Sequence, residues 1–162
     1  MKEQTEISEE YAQIAAKVIE EHKDISWMKY AEVSIGYMSS NKKKHSGGKT
    51  VFADCRKVQD RDKRFIPFDF IITVYDQNVT GFNDKQMEIL IYHELLHVGV
   101  EEKDDGNVKY FIVPHDLEEF TKVIDQYGEG WQQTGPKHLT QLAEEAEGGH
   151  DDGVDSDEEE NA

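Results

Sequence analysis

Apolar residues recur along the chain at spacings of three to four in some stretches and of two in others, and these spacings divide it into elements. In residues 8–22, Tyr11, Ile14, Ala15, Val18 and Ile19 share one helical face, and Ser8 stands where a side-chain oxygen caps a first turn. Residues 32–39 alternate, with Val33, Ile35 and Tyr37 on one side and Glu32, Ser34 and Gly36 on the other, the period of a strand. After a loop holding Gly47-Gly48, residues 50–58 read as a second strand. The run 68–75 is almost continuously apolar, which predicts a central strand covered on both faces. Asn83, with Gln86 three residues on, has the form of a capping box and opens a helix over 84–99. An acidic turn at Asp104-Asp105-Gly106-Asn107 leads into a strand over 108–113, which Pro114 ends. Asp116 then caps a last helix over 117–127, stopped by Gly128. Helix, three strands, helix, strand, helix predicts an α+β fold whose three-stranded sheet is mainly antiparallel.

Composition narrows the setting. The 162 residues carry 35 Asp+Glu against 18 Lys+Arg, a net charge of −17, and the length fits one domain of ~100–150 residues with an extension. One cysteine leaves no intrachain disulfide and favours a reducing, cytoplasmic location. No apolar run nears the ~18 residues that span a bilayer, and the acidic opening MKEQTEISEE is unlike a signal peptide, so no membrane partner is expected. The charge is uneven. Residues 144–160 hold ten acids and no Lys or Arg, with Gly148, Gly149 and Gly153 and no aromatic. That composition predicts a disordered acidic tail over 143–162, beyond a domain over 1–142. Residues 42–64 hold nine basic residues against Asp54, Asp60 and Asp62, a net +6. They are either the solvated ends of hairpin loops or an edge for an acidic partner. The negative whole molecule repels phosphate, which leaves nucleic acid as a partner for this segment alone.

The second helix carries His93-Glu94-Leu95-Leu96-His97, an H-E-x-x-H motif. Two histidines four apart lie on one helical face with Cβ atoms about 5–6 Å apart, so both imidazoles reach one zinc ion. Glu94 is one residue from His93, close enough to meet a water on that ion without displacing it. The other residues of the helix include Ile89, Leu90, Ile91, Leu95 and Val98, and buried imidazoles and a carboxylate among them need a partner. A catalytic zinc takes three protein ligands and keeps a fourth position open. His115, one turn and one strand beyond His97, is a candidate third ligand; Glu118 and Glu119 are alternatives, and Asp116 is the expected helix cap. His22, His45 and His150 fall where exposed bystanders are expected, and His138 follows Gly135-Pro136 outside any element.

Tyr92-His93-Glu94-Leu95-Leu96-His97, followed by Val113-Pro114-His115-Asp116-Leu117-Glu118-Glu119-Phe120, resembles the phage metallopeptidase family of small zincin-like proteins. It is similar also to a reduced SprT-like or WLM protease motif. The resemblance covers about residues 8–128 in layout and implies a minimal zincin-like domain, with His93, His97 and His115 binding Zn2+ and Glu94 as the general base. It implies a zinc metallopeptidase that hydrolyses protein or peptide substrates in the cytoplasm, the host's if the gene belongs to a phage. The strand over 68–75 is then expected at the cleft edge, where an extended peptide adds as a further strand. Tyr75, Tyr92, Tyr110 and His138 are candidates for oxyanion stabilisation. The competing reading is a non-catalytic, zinc-stabilised adaptor that acts through the basic segment 42–64 and the acidic tail.

Overall fold

Ser8 is the hinge between a short first strand, β1 (Thr5–Ile7), and α1 (Glu9–Glu21) in the computed structural model, which describes residues 2–115, 121–128 and 131. The Ser8 hydroxyl accepts from the Tyr11 N–H at 3.2 Å, so the expected cap is in place, and Tyr11, Ala15 and Val18 form the buried face. β2 (Ile35–Ser40) follows, then a small hairpin of β3 (His45–Ser46) and β4 (Lys49–Thr50), then β5 (Ala53–Lys57) and β6 (Phe70–Tyr75). Gly47 and Gly48 turn the hairpin with φ of 57° and 78°, values that glycine reaches without a Cβ penalty. The basic segment is thus partly hairpin end. Within it Lys44 pairs with Asp54 at 2.7 Å, and Lys63 with Asp69 at 3.0 Å.

The main sheet runs β1-β2-β6-β5. β2 and β6 are parallel, while β1–β2 and β5–β6 are antiparallel, so the sheet has four strands and mixed direction rather than three. The extra strand, β1, is three exposed residues, too short for a period to register. Every residue of β6 is buried, as its apolar run requires, and it has hydrogen-bonded neighbours on both sides. It is therefore not the cleft edge. β1 and β5, each paired with one strand, are the two edges, and β5 is the one beside β6.

α2 (Asp84–Leu95) opens on the anticipated capping box: Asn83 Oδ1 accepts from the Gln86 N–H at 2.8 Å, and Gln86 Oε1 accepts from the Asn83 N–H at 3.0 Å. Ile89, Leu90 and Leu95 join Phe70, Ile72 and Val74 in one buried cluster, each contributing roughly 1.5–3 kcal/mol, which anchors α2 against the sheet. The helix is shorter than its apolar face predicts. The His97 N–H bonds the Glu94 carbonyl at 3.1 Å, a tightened last turn, and β7 (Val98–Glu102) begins at once. β7 pairs antiparallel with β8 (Val108–Ile112), and Gly106, at φ 85°, serves the turn between them. The ladder continues one step, from the Val113 N–H to the His97 carbonyl at 2.8 Å. α3 (Thr121–Tyr127) stops before Gly128, whose φ of 81° suits a helix end. Its expected first turn, with Asp116, Glu118 and Glu119, lies outside the described residues, as do His138, His150 and the acidic tail. Among the described residues no helix is long and apolar enough to cross a membrane.

Candidate metal centre

Three elements bring three imidazoles together. His93 stands in the last turn of α2, His97 on the step from α2 into β7, and His115 three residues past the end of β8. One nitrogen from each lies within 4.8 Å of the other two. The Nε2 atoms of His93 and His115 are 3.0 Å apart. Two nitrogens bound tetrahedrally to one ion at about 2.0–2.1 Å would stand roughly 3.3 Å apart, so this spacing is near the edge of such a polyhedron. The rings of His93 and His97 are 5.3 Å apart, and those of His97 and His115 are 4.5 Å apart. Burial falls across the group: His93 is buried, His97 is intermediate and His115 is exposed, so the cluster opens outward on the His115 side.

The orientation of His97 follows from one contact. Its Nδ1 lies 2.6 Å from the Val113 carbonyl. A carbonyl can only accept, so Nδ1 carries the proton and donates, and the lone pair sits on Nε2. An outer hydrogen bond of this kind fixes both tautomer and ring plane in a metal-binding imidazole. The backbone ladder between His97 and Val113 holds the same two residues together, so one hairpin step positions the ring twice.

Glu94 is 4% exposed, and its Oε1 lies 3.9 Å from His93 Nε2, beside the nitrogen cluster. β5 also borders it. Burial, then the charges of Glu94 and Asp54, pushes the Cys55 thiol well above its usual range, which keeps the thiol protonated and puts it within the field of Glu94.

The remaining candidates among the described residues lie away from the triad. Tyr92 turns to the other side of α2, where its hydroxyl donates to Asp24 at 2.7 Å and accepts from Gln126 at 2.9 Å. His22 stacks on Tyr92 with centroids 4.0 Å apart and has its Nε2 3.1 Å from the Tyr127 hydroxyl, so it is a packing residue between α1 and α3 rather than an exposed bystander. His45, in β3, is exposed as expected. The Tyr75 hydroxyl donates to Asp54 at 2.6 Å, and that of Tyr110 to the Glu32 carbonyl at 2.5 Å. None of these three tyrosine hydroxyls is directed to the triad. Sequence reasoning missed the Val113 carbonyl and Cys55. The first is a backbone atom with no residue signature. The second becomes visible only once β5 is known to be the edge.

A family model described as Putative phage metallopeptidase matches residues 3–147. The chain belongs to this family. Neither a curated protein nor a solved structure matches it. Family and geometry agree at a coarse level: the family's description points to a peptidase role, and the histidine cluster is a site at which a metal ion can be held. Three imidazoles and no thiolate form a donor set suited to zinc and to other borderline divalent ions, so the residues present fit such a group.

Proposed function

We propose that this chain is a zinc-dependent hydrolase of peptide bonds, with His93, His97 and His115 as the metal ligands and Glu94 as the general base. The observation that carries the reading is the convergence of three imidazole nitrogens within 4.8 Å beside the buried Glu94 carboxylate. When bound, the ion supplies Lewis-acid polarisation and lowers the pKa of a water to ~7.

The chain's own groups do the rest. Glu94 takes a proton from the attacking water and later delivers it to the departing amine nitrogen. Its near-complete burial keeps the carboxylate in place and strengthens its field, because few solvent dipoles oppose it. His97 is held in the tautomer that places the lone pair on Nε2. The exposed side of the cluster, at His115, admits the substrate. The free edge of β5, beside Glu94, offers backbone groups to an extended peptide, so the scissile carbonyl is brought to the cluster by strand addition.

Metal removal is the direct test. A quenched fluorescent peptide library digested by the full chain is expected to lose all cleavage after dialysis against a chelator and to regain it on adding about one equivalent of zinc. Cleavage that survives exhaustive chelation contradicts the proposal.

A further inference from the structure

β5 has a direction to its backbone. The Tyr75 N–H bonds the Phe52 carbonyl at 2.9 Å, and the Val58 N–H bonds the Asp69 carbonyl at 2.8 Å. In an antiparallel pair, residues that bond the neighbour alternate with residues that do not. Phe52, Asp54, Arg56 and Val58 therefore turn their backbone groups to β6, and Ala53, Cys55 and Lys57 turn theirs to the free edge. The same period places the side chains of Ala53, Cys55 and Lys57 on one face. That is the face packed against α2, because the cross-strand partners Val74, Ile72 and Phe70 share a buried cluster with Ile89, Leu90 and Leu95.

Lys57 is the basic side chain that β5 itself places on this face. Elsewhere in the basic segment, Lys44 and Lys63 are neutralised by Asp54 and Asp69. Among the described residues no carboxylate lies within ion-pair distance of Lys57, and its side chain is half-buried rather than free in solvent. Its cross-strand partner is Phe70, whose ring meets that of Tyr110 edge-on at 5.9 Å. Half-buried, unneutralised charge on a peptide-accepting edge is a selector for the opposite charge.

We propose that the β5 edge takes an extended peptide carrying an acidic side chain, and that Lys57 selects that side chain at the peptide position beside it. A strand added to β5 places side chains on the faces that the β5 residues use. The selected residue then lies about 7 Å, two residues of strand, from the position beside Cys55 and Glu94. This deepens the peptidase reading and rests on it. Lys57 is a specificity residue, with no part in proton transfer.

The test separates binding from cleavage. Zinc-loaded full chain carrying Glu94→Gln is titrated by fluorescence anisotropy with labelled ten-residue Ala/Ser peptides, each bearing one Glu or one Lys at a successive position. At one position Glu is expected to bind about tenfold tighter than Lys, since attraction and repulsion each contribute a few-fold, and the gap narrows with added salt. Adding Lys57→Glu inverts the preference at that position, and Lys57→Gln, the milder change, removes it. Equal binding at every position overturns the inference, as does a preference that persists in Lys57→Glu, or a dimer buried through this edge in sedimentation at the same concentrations. If the charge preference is present but the wild-type chain cleaves none of the peptides, the hydrolase reading falls and the docking edge stands. If the wild type cleaves peptides without regard to charge, this inference falls alone.

Discussion

Glu94→Gln is expected to keep the wild-type zinc content and to lower kcat on a peptide substrate by about 10²–10⁴-fold, the range that follows loss of a general base. The amide fills the volume of the carboxylate, so at a site only 4% exposed it leaves no cavity and the packing of α2 survives. It cannot take a proton from water at neutral pH, which is the one property the mechanism needs from this position. The three imidazoles are untouched. Parallel metal analysis and initial rates on one preparation decide the matter: full metal with lost turnover supports the role, whereas full metal with retained turnover removes Glu94 from the chemistry. Glu94→Ala is a poorer probe, because truncation of a buried side chain adds a destabilising void.

His97→Ala is expected to weaken zinc binding by more than the ~10–100-fold that removal of an outer partner costs, because it deletes a ligand outright. The hydrogen bond to the Val113 carbonyl goes with it, but the backbone ladder between the two residues remains. The fold should therefore persist, as circular dichroism would record. His22→Ala is the matched control. It loses the stacking on Tyr92 and the contact with Tyr127, yet it lies behind α2 rather than in the triad, and zinc affinity should hold. A titration with a competing chromophoric chelator reads both variants. Equal loss in the two would mean that packing, not ligation, governs binding.

Much of the site is legible in the residues because its signals are local. The capping box at Asn83 and Gln86 fixes where α2 starts, and the four-residue step from His93 to His97 fixes which side chains share a face. His115 is legible as a candidate, but its arrival beside His93 depends on a hairpin. The strand β7 was hidden because Val98 continues the apolar face of α2, so the helical period ran on past Leu95. The edge of the sheet is not legible for a different reason. An apolar run such as 70–75 reports cover on the two faces of a strand, while an edge is a matter of hydrogen-bonded neighbours in the plane. Strand pairing is long-range, so no local period reveals that β5, rather than β6, is left open.

In the proposed site His93, His97 and His115 hold one zinc together. Its most direct test is a zinc titration of metal-free full-length chain by isothermal calorimetry, wild type against His115→Ala. About one zinc per chain in the wild type, with affinity lower by an order of magnitude or more in His115→Ala, is the predicted result. A folded wild-type chain that takes up no zinc, or one that binds it equally well without the His115 imidazole, would contradict a shared three-histidine site.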